Sequence, residues 1–173
     1  MSAARVTIRL FEQQDAPQVR ELFITVNRLL SPPTLREVFE SYIARSLEEE
    51  IDRIPAYYGA RGGGFWVAVR DQRIVGMFGL ESAGPGSLEL RRMYVDPSVR
   101  RSGIASMMLQ FAEDECRRSA ARKIELSTSE LQPAALALYR RSGYRLLRET
   151  IATDASNKTI GGGVRRYYFE KVL

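Results

Sequence analysis

The residues best suited by type and spacing to do chemistry are Arg100-Arg101-Ser102-Gly103-Ile104-Ala105. A turn through Asp96-Pro97-Ser98 leads into them, and a helical pattern starts at Ile104. The first turn of a helix carries four N–H groups with no intrahelical partner, aimed at whatever sits in front of it. Gly103 has no side chain to hold a ligand away from that backbone. Arg100 and Arg101 add full positive charge beside the dipoles. Phosphate or pyrophosphate suits this combination; the alternative is an ordinary strand-to-helix turn on a basic surface.

Elements on both sides can hold the loop. The predicted strand Leu88 to Val95 carries Leu88, Leu90, Met93, Tyr94 and Val95. The helix after the loop places Ile104, Met107, Met108, Phe111, Ala112 and Cys116 at helical spacing on one apolar face. A predicted strand, Lys123 to Thr128, follows, and then the run Gln132-Pro133-Ala134-Ala135-Leu136-Ala137-Leu138-Tyr139-Arg140-Arg141-Ser142-Gly143-Tyr144.

An R-x-x-G-x-A run behind Val95-Asp96-Pro97 resembles the coenzyme A motif of the GNAT superfamily of N-acetyltransferases. The second run resembles that family's A-x-x-L-Y-x-x-x-G-[FY] motif, and the two stand in family order. The resemblance extends from about Val6 to the C-terminus, with the core motifs in 88–145. Leu126 to Gln132 is more weakly similar to the branch acting on amino acids and cysteine conjugates. The fold this implies is α/β (α+β) and three-layered, a mixed, mostly antiparallel sheet with splayed central strands flanked by helices. The implied cosubstrate is acetyl-CoA, with no metal, and the implied activity is acetyl transfer to a primary amine of an amino-acid-like small molecule or a peptide. Other readings are a coenzyme A-binding sensor without catalysis and an enzyme acting on protein or ribosomal N-termini.

The resemblance also assigns residues. Met93, Tyr94 and Val95 lie beside the pantetheine arm. Arg100, Arg101, Ser102, Gly103, Ile104 and Ala105 surround the pyrophosphate. Gln132 stands where many members have Asn, with the same donor and acceptor on a longer arm. Tyr139 falls at the family's acid. A phenol of ordinary pKa is protonated at neutral pH and can donate to a leaving sulfur; a helix residue packing on the sheet is the other reading.

The base is less direct, because the chain has no His. Glu89, eleven residues before Arg100, has the offset of the glutamate base in histone-type members of the family. Strict strand alternation puts it on one face with Arg91, Met93 and Val95; the alternative is a surface Glu paired with an Arg such as Arg91. Glu81 and Glu130 are weaker candidates, and a water chain could serve. Cys116 lies on the apolar helix face and is expected to be structural, so direct attack in a ternary complex is expected. Arg28, Arg36 and Arg45 could hold an acceptor carboxylate, within an acceptor site walled by residues 27–58 and 150–168.

Bulk properties agree with one domain, 1–173. The chain of 173 residues can bury a full core. Its single cysteine allows no internal disulfide and suits a cytoplasmic setting. Residues 1–10 lack the apolar run of a signal peptide, and nothing approaches a spanning helix. The net charge of +5 comes almost wholly from arginine, without the interleaved aromatics of a nucleic-acid site. The expected partners are an amine substrate, no nucleic acid and no membrane, with a homodimer left open.

Along the chain, Val6–Leu10 reads as a strand. Asp15 reads as the N-cap of a helix through Val19, Leu22, Phe23 and Val26. Thr34 and Glu37 read as a capping box before a second amphipathic helix, whose charged run Glu48-Glu49-Glu50 is expected to be solvated. Phe65–Arg70 and Ile74–Leu80 form a predicted hairpin. Strands 144–151 and 164–172 flank a polar loop, 153–163.

Overall fold

The computed structural model describes residues 4–173. A short strand β1 (Thr7–Leu10) is followed by the helices α1 (Ala16–Leu30), α2 (Arg36–Glu49) and α3 (Ile54–Gly59). The meander β2 (Gly64–Arg70), β3 (Arg73–Ser82) and β4 (Ser87–Val95) comes next. Then come α4 (Ile104–Arg118), β5 (Lys123–Ser129), α5 (Pro133–Arg141), β6 (Arg145–Ala152) and β7 (Val164–Val172). The seven strands form one sheet in the order β1-β2-β3-β4-β5-β7-β6.

All neighbours pair antiparallel except β4 and β5, which run parallel. That parallel pairing spans only Ser87–Glu89 against Lys123–Glu125. Beyond it the central strands separate, so the expected mixed sheet with splayed centre is present.

Two apolar cores cover the sheet. On one face α1, α2 and α3 bury Val19, Phe23, Phe39 and Ile43 against Phe65, Val67 and Met77. On the other, α4 and α5 bury Met108, Ala112, Cys116 and Leu138 against Ala68, Phe78, Ile124 and Phe169. The stripe of α4 centres on Met108, Ala112 and Cys116, so Leu109 is buried and Met107, to its side, is exposed rather than part of the face. Among the described residues no helix is long and apolar enough to cross a membrane.

Asp15 stands at the N-cap position of α1 but makes no side-chain cap there, and the start expected at Thr34 is displaced. Pro33–Leu35 forms a 3-10 turn, so Thr34 lies inside it and α2 begins at Arg36 without a side-chain cap. Asp15 also ends a 3-10 turn, Gln13–Asp15. Its carboxylate accepts from the Glu12 N–H at 2.8 Å and from Arg9 at 2.7 and 2.9 Å instead of capping α1. The Arg9 hydrogen bonds outweigh burial and hold the Asp15 pKa below the usual carboxylate value.

Strand β4 departs from alternation at one point. Arg92 adopts φ +56°, and the register with β3 shifts between Met77 and Gly79. One extra residue on β4 makes this a bulge. Leu90, Met93 and Val95 therefore pack with the α4 core, whereas Tyr94 packs with the α1–α3 core. Met93 and Val95 thus do not share a face with Glu89 and Arg91, as unbroken alternation required.

Candidate active site

The Val95-to-Ile104 connection builds an open, electropositive pocket. Pro97–Val99 forms a 3-10 turn whose entry is capped by Asp96, which accepts from the Ser98 N–H at 2.9 Å. Arg101 then takes φ +64° and Gly103 φ +80°. Left-handed residues curl a backbone into the concavities that bind anions. A Cβ built on Gly103 meets no protein atom within 4 Å. The space ahead of the α4 N–H groups is therefore free, which is the arrangement a pyrophosphate requires.

That space belongs to a groove of about 660 Å³. Met93, Tyr94 and Val95 line one side, Arg100 to Ala105 its head, and Gln132, Ala135 and Leu138 the opposite wall. All ten residues placed beside the cosubstrate from 93 to 132 therefore face one groove. It follows directly from the splay, because β4 and β5 have no pairing there to close the gap.

A smaller polar cavity of about 80 Å³ adjoins the groove, sharing Met93, Tyr94 and Gln132 with it. It holds both proton-transfer candidates, Tyr139 and Glu89. Tyr139 is buried, edge-on to Tyr144 at 5.7 Å between centroids and tilted against Phe169 at 6.1 Å. Burial, with Tyr94 nearby, pushes its phenol well above the usual value, so it stays protonated. Gln132 accepts from the Thr128 hydroxyl at 3.1 Å through its side-chain carbonyl and lines both cavities.

Glu89 does not pair with Arg91. Its Oε2 accepts from Lys158 at 2.9 Å, and the same ammonium donates to Glu81 at 2.6 Å. Glu81 and Glu89 stand directly opposite each other on β3 and β4. Like charges so placed repel, and the ammonium of Lys158 offsets that repulsion. Burial acts to lower the Lys158 pKa, but hydrogen bonds to Glu81 and Glu89 outweigh it and raise the pKa above the ordinary value.

Arg91 joins an ion cluster that sequence reasoning missed. Glu50, expected to be solvated, is 0% exposed. It accepts from Arg91 at 2.9 Å, from Arg92 at 2.9 and 3.1 Å, and from the Tyr58 hydroxyl at 2.8 Å. Arg92 also reaches the Tyr42 hydroxyl at 2.6 Å, and Arg91 that of Tyr57 at 2.6 Å. The Asn157 carbonyl accepts from both arginines, and its side chain donates to Glu50 at 3.1 Å. Burial alone would raise the Glu50 pKa; the charge and hydrogen bonds of Arg92, then Arg91, overcome it and hold the group below the usual carboxylate value. A signal was present: Glu50 continues the stripe Phe39, Ile43, Ser46, Leu47 at helical spacing.

Other candidates are committed elsewhere. Glu130 accepts from the Arg165 N–H at 2.9 Å and fastens β5 to β7. Arg28 pairs with Glu40 at 2.8 Å, and Arg45 donates to the Ala155 carbonyl at 2.6 Å. Arg36 is exposed on α2 and lines neither cavity. Arg166, unremarked in the sequence, lines the polar cavity and donates to the Ser127 hydroxyl at 2.8 Å. Cys116 is fully buried, its thiol pushed up to about 12 by desolvation and the neighbouring Glu113 and Glu115, which makes it a poor nucleophile.

Probable N-acetyltransferase 14 of Xenopus tropicalis is 36% identical over 99 residues, 56% of this chain and 48% of that protein. N-acetylaspartate synthetase of Danio rerio is 33% identical over 117 residues, 66% of this chain and 42% of that protein. The chain thus spans about half the length of the curated relatives it matches. An acetyltransferase of the GNAT family from Staphylococcus aureus superposes with a TM-score of 0.76 at 20% identity, covering 98% of this chain and 99% of that one. PaiA N-acetyltransferase from Thermoplasma acidophilum, solved with coenzyme A, gives 0.74 at 17% identity and the same coverage. At such identities the structures establish the fold. The sequence model of the acetyltransferase (GNAT) family matches residues 29–144, more than half the chain, and this protein belongs to that family.

Proposed function

We propose that the protein transfers an acetyl group from acetyl-CoA to a primary amine of an amino-acid-like small molecule or a peptide, by direct attack within a ternary complex. One observation carries this reading: the polar cavity with Tyr139 and Glu89 opens through Met93, Tyr94 and Gln132 into the groove headed by the α4 N-terminus. A ligand anchored by phosphate at Gly103 and laid along β4 ends beside both groups.

Acetyl-CoA supplies the activated thioester; the remaining work falls to this chain. The N–H groups from Arg101 to Ala105 and the charge of Arg100 hold the pyrophosphate. The unpaired edge of β4 offers backbone groups of Met93 and Val95 to the pantetheine amides. Glu89 accepts the proton of the acceptor's ammonium, and Tyr139 donates its proton to the departing sulfur. General acid–base help of this kind contributes about 100-fold or more per group. Arg166 is the cavity cation outside the Glu50 and Glu81 clusters, which favours an acceptor bearing a carboxylate beside its amine. The name of the Danio rerio relative, a synthetase of an N-acetyl amino acid, supports the same class.

The test is thiol release from acetyl-CoA with a panel of amino acids, polyamines and peptides. Release above background with a carboxylate-bearing amine is expected. Tight coenzyme A binding with no release for any amine would instead favour a sensor.

A further inference from the structure

Lys158 bridges Glu81 and Glu89, and its position also suits it to chemistry. It lies in the polar loop between β6 and β7. Its neighbour Asn157 is pinned by Arg91, Arg92 and Glu50, so the loop delivers Nζ into the cavity that also contains Glu89, Met93, Gln132 and Tyr139. There Nζ sits 2.9 Å from the Glu89 carboxylate, within reach for proton transfer. The chain's other lysines, Lys123 and Lys171, line neither this cavity nor the groove. Lys123 pairs with Glu125 and Glu170, and Lys171 with Glu113.

We infer that Lys158 is an internal acetyl acceptor, its Nζ standing where the amine of a free acceptor binds and becoming acetylated by the protein's own site. The inference rests on the transferase reading. Glu89 takes one proton from the ammonium and passes it to solvent. The freed lone pair attacks the thioester carbonyl carbon, the N–C bond forms and the C–S bond breaks. Tyr139 protonates the sulfur, and the second proton lost by Nζ restores the phenol. The products are an acetamide on Lys158, a free thiol and one proton in solution. The neutral acetamide no longer offsets the Glu81–Glu89 repulsion, so modification also alters the charge a free acceptor meets.

The experiment incubates the protein with acetyl-CoA and no acceptor, then maps acetyl groups on Lys123, Lys158 and Lys171 by mass spectrometry over time. Labelling is expected at Lys158, about 100-fold faster than at the other two, at a rate independent of protein concentration. Glu89→Gln is expected to slow it about 100-fold, and Lys158→Arg, which retains the charge, to remove it. Excess of an amine that the protein acetylates is expected to protect Lys158. Equal labelling of all three lysines overturns the inference, as does a rate that rises with protein concentration. So does an unlabelled Lys158 in a protein that releases thiol with a free amine, an outcome that leaves the transferase reading standing. Failure to bind acetyl-CoA in calorimetry removes both.

Discussion

The groove at the head of α4 and the polar cavity beside it are assembled by opposite routes. The groove's end at α4 is local: Val95 to Ala105 is one continuous stretch, and its turn, two left-handed residues and helix start are set by neighbours in sequence. The cavity is distributed. Glu89, Arg91, Arg92 and Lys158, with Glu50 and Glu81 behind them, come from the turn after α2, from β3 and β4 and from a late loop, and each is held by charges far away in the chain. A local site tolerates loss of one side chain without losing its shape. A distributed ionic site fails as a unit, because removing one buried charge strands its partners.

Substitutions can break this contrast, and the largest effect is expected in the groove. Gly103→Asp should abolish acetyl-CoA binding by calorimetry while the thermal unfolding profile stays close to wild type. The new carboxylate points at the pyrophosphate position, and Asp tolerates a left-handed φ better than most residues. A folded Gly103→Asp protein binding at wild-type affinity would remove the phosphate site from α4.

Glu50→Ala tests the other region. Breaking a buried ion pair by deleting one partner costs about 3–5 kcal/mol, so denaturant unfolding should show a loss of that order, with the cavity's function falling alongside. The lowered pKa of Glu50 adds a sign. Its stabilisation is complete above the unfolded-state carboxylate pKa and is lost as pH falls through the folded value. The wild type should therefore lose stability in acid more steeply than Glu50→Ala does. Parallel acid profiles would mean that the cluster contributes nothing as a charge pair.

Tyr139→Phe should lower turnover about 100-fold, about 2.7 kcal/mol of barrier, with acetyl-CoA affinity nearly unchanged. Full turnover in this variant would reduce Tyr139 to its packing on Tyr144 and Phe169. Glu89→Gln should lower turnover by a similar factor, about 100-fold, at neutral pH, and this loss should shrink as rising pH supplies neutral amine. If Glu89 serves only as a counter-ion for Lys158, the variant should melt lower and keep its rate–pH profile.

The same contrast explains what could be read before the structure. The succession of strands along the chain, the β2–β3 hairpin, the turn ahead of α4 and the Tyr139 helix follow from periodicity and short motifs, which report on neighbours along the chain. Three features did not. The bulge at Arg92 has no glycine or proline to announce it, and it reverses the faces of Met93 and Val95. Glu50 resembled its solvated neighbours Glu48 and Glu49, although it lies on the apolar stripe. Lys158 sits in a polar loop, where only tertiary contact with Glu81 and Glu89 gives it meaning. In each case the deciding partner is distant in sequence.

The brief pairing of β4 with β5 has a thermodynamic consequence. Three residue pairs join the two halves of the sheet directly, and past Glu89 the facing strand edges run on without each other. An extended ligand lying in that seam with amides of its own would take the place of a missing strand, so occupancy and folding become linked. A ligand at 100 times its dissociation constant adds about 2.7 kcal/mol to the stability of the folded state. Amide exchange along Leu90–Val95 would report it residue by residue, as a seam that is sealed only while the cosubstrate is home.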